Sequence, residues 1–191
     1  AGLYAGDDHS TCFIHKKGPF YLYIDRVRQV FPHSRIIHID RDPRAIYNSQ
    51  KKALRSDGSR MMAEPITTFA FQYLESQRQI SKYSNAPWFH VVAYENLVHH
   101  PQRELERILD FLGCRASKQA SAGHYDQKIP QSQRHLHANL REDMKQERIN
   151  AWEQELSADE IFFLQKALAG AIRDNGYGFK EVGLTDVNNK P

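Results

Sequence analysis

The sequence predicts an α/β fold: a parallel sheet flanked by helices. Three observations predict it. Two short runs, Arg35 to Asp40 and Trp88 to Tyr94, are rich in β-branched and aromatic residues, as strands in a sheet interior are. The segments around them carry apolar residues at helical spacing, giving the order helix, strand, helix, helix, strand, helix. The first strand also runs straight into a helix start, with Asp42 as N-cap and Pro43 at the first helical position.

The 191 residues are one domain's worth of chain, long enough to bury a core. A net charge of +3 is too small to argue for nucleic acid as a partner. No apolar run reaches membrane-spanning length, and no signal peptide is visible. Cys12 and Cys114 have no metal-type spacing, so a reducing compartment, and hence a cytoplasmic location, is expected. The chain begins at Ala1 rather than Met, which leaves open an upstream segment.

Taken in order, Ala1 to Cys12 reads as loop, and Phe13-Ile14 as a strand end. His15 to Pro19 is a basic turn. Tyr21 to Phe31 reads as a helix whose stripe is Leu22, Ile24, Val27, Val30 and Phe31, stopped by Pro32. After the first strand and its helix, Ser56 to Ser59 is a turn. A helix from Pro65 to Tyr83 is expected to turn Phe69, Phe71, Leu74 and Ile80 inward. Glu95 to Leu97 turns out of the second strand. Pro101 opens a helix with a stripe at Leu105, Ile108, Leu109 and Leu112, capped by Gly113. Residues 114–140 are polar and read as a long surface loop, a length that tends to carry function. Trp152 precedes a last helix, for which Ser157 and Glu160 form a capping box. Its stripe is Ile161, Leu164, Leu168 and Ile172. Asn175 to Gly178 stops it, and residues 180–191 read as a frayed tail.

The chemistry concentrates at Arg41-Asp42-Pro43-Arg44. A helix start presents free backbone N–H groups, and two arginines flank it, which suits a phosphate or sulfate ester. Such a tetrapeptide alone is common and usually solvated. Ser49 raises its weight: eight residues after Arg41, about two turns on, its hydroxyl can return to the face Arg41 overlooks. In a parallel sheet the ligand lies beyond the carboxyl ends of the strands, and those ends carry Arg41 and Tyr94.

Arg-Asp-Pro-Arg-Ala-Ile-Tyr-Asn-Ser resembles the 3′-phosphate-binding segment of the sulfotransferases that use 3′-phosphoadenosine-5′-phosphosulfate (PAPS). The resemblance continues in order. Lys17-Gly18-Pro19, a helix and Phe31-Pro32 are similar to the family's Lys-Ser/Thr-Pro, helix, Phe-Pro series. Tyr94-Glu95-Asn96-Leu97, Pro101 and Phe111-Leu112-Gly113 match a second series. Trp152, Leu156-Ser157 and Gly176-Tyr177 resemble the C-terminal part of the bacterial and tyrosylprotein-type branches. Roughly residues 13–179 are covered.

The resemblance implies a P-loop-NTPase-like sulfotransferase fold, with residues 1–191 a single, partial domain. It implies transfer of a sulfonate from PAPS to a hydroxyl or phenol, releasing adenosine 3′,5′-bisphosphate. Arg41 and Ser49 would hold the 3′-phosphate, and Tyr94 would lie near the adenine. A core tyrosine with a wet hydroxyl is an equally good reading of Tyr94. Lys17 would neutralise charge on the bridging oxygen. A His or Glu must take the acceptor's proton, and His15 is the nearest residue of that type. An ordinary, partly exposed histidine in a basic turn is its plainer reading. The resemblance leaves the acceptor open: a small molecule such as a phenol, a carbohydrate, a lipid or a tyrosine would each serve.

The chain departs from the family in two ways. It has no Gly-x-x-x-x-Gly-Lys segment to cradle the 5′-phosphosulfate, so that segment is expected outside these residues. The residue before Lys17 is Lys16, not Glu. His99-His100 and His135-x-His137 lack a carboxylate or thiolate at ligand spacing, so no metal is expected. Arg134, Arg141 and Arg148 lie in the polar region; one of them could reach the cofactor or an acidic acceptor, with a solvated surface as the default. Two alternatives stay open: a P-loop nucleoside or small-molecule kinase, and a noncatalytic nucleotide-binding domain of the same fold.

Overall fold

The computed structural model describes residues 14–16, 18, 20–53, 65–114 and 146–182. Lys17, the turn at 56–59, residues 115–140 of the polar loop and the tail beyond Val182 lie outside them. The chain divides into two compact units, residues 1–34 and 35–191.

In the first unit a 3-10 turn, Phe20–Tyr23, leads into helix α1, Ile24–Val30. Ile24 is buried, but Leu22, Val30 and Phe31 of the expected stripe are exposed. For Leu22 the 3-10 turn is the physical reason. Its three-residue period puts Leu22 out of phase with the 3.6-residue period that follows. Arg28 closes the helix end by donating from Nη1 to the Ser34 carbonyl at 2.8 Å.

The second unit is built on β1, Ile36–Asp40, and β2, Phe89–Ala93, which pair in parallel from Ile36 opposite Phe89 to Asp40 opposite Ala93. Between them run α2, Pro43–Lys52, and α3, Ile66–Ser81. Helices α4, Tyr94–His99, and α5, Pro101–Leu112, follow. Parallel pairing puts Ile36, His38 and Asp40 on one face with Phe89, and Ile37 and Ile39 on the other with His90. Gln77 of α3 reaches Asp40 on the first face. Phe111 of α5 stacks on His90 on the second, with ring centroids 5.0 Å apart. Helices therefore cover both faces, as an α/β sheet requires.

The short C-terminal helices α6, Glu147–Asn150, and α7, Trp152–Glu155, precede α8, Ala158–Ala167, and α9, Ala169–Asp174. The predicted capping box opens α8. Glu160 N donates to Ser157 Oγ at 3.2 Å, and Ser157 N donates to Glu160 Oε2 at 2.9 Å. Gly113 caps α5 at φ 67°, and Gly176, at φ 76°, follows α9, the left-handed conformations in which glycine replaces any L residue without strain.

The core joins α2, α3 and these helices: Ala45, Phe69, Ala70, Tyr73, Trp152, Leu156, Ile161, Leu164, Leu168 and Ile172. Two expectations for α3 fail. Phe71 is 71% exposed and Leu74 43% exposed. Phe69 and Tyr73, one turn apart, set the buried face, and Phe71 stands about 200° round the helix from Phe69. Glu95 to Leu97, expected as a turn, lie in α4 instead, so Tyr94 opens a helix rather than ending the strand.

Candidate functional site

The site lies at the carboxyl ends of β1 and β2, where parallel pairing sets Arg41 beside Tyr94. The Arg41 guanidinium lies over the Tyr94 ring, Cζ 4.2 Å from its centroid. Its Nη2 donates to the Arg148 carbonyl at 2.8 Å. Its Nε is buried and has no hydrogen-bond partner. A buried N–H of a charged group without an acceptor is costly, and an anionic oxygen is the acceptor that suits it. Of the three arginines in the polar region, Arg148 thus meets the site through its backbone oxygen.

Arg44 behaves differently from Arg41. It is 1% exposed. Its Nε and Nη2 donate to the two oxygens of Asp42 at 2.9 and 2.6 Å, a bidentate pair, and Nη1 donates to Gln165 Oε1 at 2.8 Å. Its face lies on the Trp152 ring, Cζ 4.0 Å from the centroid. The expectation that both arginines of the turn face an anion is therefore corrected: Arg44 is enclosed by protein groups.

The helix start is not an open anion site either. Asp42 Oδ1 accepts from Arg44 N at 2.8 Å, which is the predicted N-cap. Glu95 Oε1 accepts from Asp42 N at 3.1 Å. Pro43 has no N–H. The protein's own carboxylates thus take the Asp42 and Arg44 N–H groups and complement the positive end of α2.

Ser49 is exposed on α2. The face of α2 that carries Asn48, Lys51 and Lys52 is instead tied to the C-terminal helices. Asn48 Nδ2 donates to Glu155, Lys52 pairs with Glu155, and Lys51 pairs with Glu160 at 2.7 Å. Ser49 lies clear of those contacts, roughly 10 Å along the helix axis from the N-cap at 1.5 Å per residue.

Beside the turn, Asp40 sits on β1 with Gln77 Nε2 donating to its Oδ1 at 3.1 Å. Burial raises its carboxyl above the usual range, partly offset by that bond and by the Arg41 backbone N–H. Burial and the nearby Asp40 charge hold the Tyr73 phenol protonated. Burial and the Glu95 charge do the same for Tyr177, which donates to Glu95 Oε2 at 3.2 Å. Glu95 thus bridges the Asp42 backbone and the Tyr177 phenol. Beyond its place in the Tyr94-Glu95-Asn96-Leu97 motif, Glu95 carries no signal of this role in the sequence.

His15 is exposed, with its ring 6.4 Å from that of Phe20. Lys17 lies outside the described residues. Among the described residues, no helix is long and apolar enough to cross a membrane.

The profile of the Sulfotransferase family matches residues 3–118, more than half of the 191. The chain belongs to the sulfotransferase family. No curated protein matches it. The matched stretch of this sulfotransferase contains both strands, the Arg41 turn and Tyr94. Its mixed α/β architecture, with a small parallel sheet between helices, is consistent with the P-loop-like fold. The C-terminal helices that close on Arg44 lie outside the match.

Proposed function

We propose that this sulfotransferase takes its sulfonate from PAPS, passes it to a hydroxyl or phenol of a small molecule, carbohydrate or lipid, and releases adenosine 3′,5′-bisphosphate. The observation that carries the reading is Arg41: a guanidinium stacked on Tyr94, half-buried, with its Nε–H lacking an acceptor. A phosphate ester supplies that acceptor. In this reading Arg41 and Ser49 both bind the 3′-phosphate. Tyr94 holds the guanidinium by its face and lies at the adenine side.

The donor brings an activated sulfonate, and the protein's part is to position it and to balance charge. By analogy with phosphoryl transfer, cations around the transferring group do most of that work. Lys17 neutralises the bridging oxygen, and His15 accepts the acceptor's proton. Binding at Arg41 and Ser49, remote from the sulfur, contributes orientation rather than chemistry.

The test offers the protein PAPS with phenol, carbohydrate and lipid acceptors, and ATP with Mg²⁺ in parallel. Acceptor-dependent release of adenosine 3′,5′-bisphosphate is the expected result. Turnover of ATP without turnover of PAPS would place the chain with the kinases and overturn the reading.

A further inference from the structure

The carboxyl end of β1 is held by residues more than a hundred positions away. Arg44 reaches Gln165 of α8 and Trp152 of α7, and Arg41 reaches the backbone of Arg148 in α6. Gln165 is itself 9% exposed and engaged through both its oxygen and its nitrogen. Its Oε1 accepts from Arg44 Nη1 at 2.8 Å and from Lys180 N at 2.7 Å. Its Nε2 donates to the Lys180 carbonyl at 2.9 Å. The Lys180 backbone thus fixes which way the amide points, with the oxygen toward Arg44. Lys180 is in turn anchored by its Nζ to the Glu153 carbonyl of α7.

Resting on the proposed nucleotide site, we propose that Gln165 is a positioning residue for it. Gln165 holds Arg44, Arg44 holds the Asp42 carboxylate, and Asp42 forms the cap on which the Arg41 backbone turns. The segment from α6 to Lys180, outside the family match, is then a working part of the anion site and not only a support for the core. A guanidinium with one Nη facing an apolar side chain must shift to find another acceptor, and the neighbouring turn shifts with it.

The experiment measures calorimetric affinity for adenosine 3′,5′-bisphosphate in wild type, Gln165→Leu and Gln165→Glu. Ile161→Val serves as a core variant that leaves Arg44 untouched. Each is measured well below its melting midpoint. Gln165→Leu is expected to lose about tenfold in affinity, by analogy with other losses of a group that orients a binding residue. Gln165→Glu keeps an acceptor for Arg44 but loses the donor to the Lys180 carbonyl, so it is expected to lose less than Gln165→Leu, and Ile161→Val is unchanged. A second readout needs no variant. In wild type the nucleotide should slow hydrogen exchange at the Lys180 amide.

Unchanged affinity in Gln165→Leu, or an equal loss in Ile161→Val, overturns the proposal while leaving the nucleotide site standing. Should Gln165→Leu not fold, unchanged exchange at Lys180 on nucleotide binding overturns it. Absence of nucleotide binding by wild type overturns both the site and the role assigned to Gln165.

Discussion

Arg41 and Tyr94 leave the carboxyl ends of neighbouring parallel strands, and the guanidinium of one rests on the ring of the other at 4.2 Å. The contact orients a cation without consuming its N–H groups, so the arginine stays directed yet able to bind. A partly desolvated contact of this kind contributes about 1 kcal/mol. Tyr94→Leu should therefore weaken adenosine 3′,5′-bisphosphate binding by roughly fivefold. Tyr94→Phe keeps the ring face and should bind within about twofold. A large loss in Tyr94→Phe would show by titration calorimetry that the hydroxyl, and not the face, matters.

Arg44 and Asp42 form a buried pair at 2.6 Å. Removing one partner of such a pair leaves the other charge buried and uncompensated, at a cost of about 3–5 kcal/mol. Arg44→Met should lower the unfolding free energy by that amount in urea. A change below about 1 kcal/mol would mean that Asp42 finds water or another cation.

His38 on β1 has a buried Nε2 without a hydrogen-bond partner, and burial lowers its pKa from 6.5 to about 4. Between those values the unfolded chain binds a proton that the folded chain does not. The contribution of His38 to stability is therefore present above 6.5 and is lost as pH falls toward 4. The loss is on the order of 3 kcal/mol at 1.36 kcal/mol per pH unit. His38→Phe should flatten the dependence of urea-unfolding stability on pH across that window. An unchanged slope would show that other groups govern it.

The capping box of α8 joins Ser157 and Glu160 reciprocally. Ser157→Ala removes one of its two bonds and should cost about 1 kcal/mol. Thermal unfolding reads this as a drop in midpoint of several degrees. No drop would mean that the Lys51–Glu160 pair at 2.7 Å already holds the helix end.

Much of the scaffold is legible in local chemistry. The Asp42 cap with its Pro43, the Ser157 box and the Gly113 stop are each dictated by residues within one turn of one another. The parallel pairing that brings Arg41 to Tyr94 follows from element order. What could not be read was long-range. Nothing near Arg44 in sequence signals that Gln165 and Trp152 enclose it. Nothing in the Tyr94 motif signals that Glu95 reaches the Asp42 backbone. An arginine beside a helix start looks the same in sequence whether it faces a ligand or the core. Only tertiary packing separates Arg41 from Arg44. The misplaced Phe71 has a related cause: an aromatic residue marks a helix face only when its phase agrees with its neighbours.

The central claim is that Arg41 recognises a 3′-phosphate. Calorimetric titration of wild type and Arg41→Ala with adenosine 3′,5′-bisphosphate and with adenosine 5′-monophosphate, which lacks that group, tests it most directly. A charged hydrogen bond of about 1.5–3 kcal/mol predicts that wild type prefers the bisphosphate by tenfold or more and that Arg41→Ala abolishes the preference. Equal affinity of wild type for the two nucleotides, or a preference that survives Arg41→Ala, would contradict it.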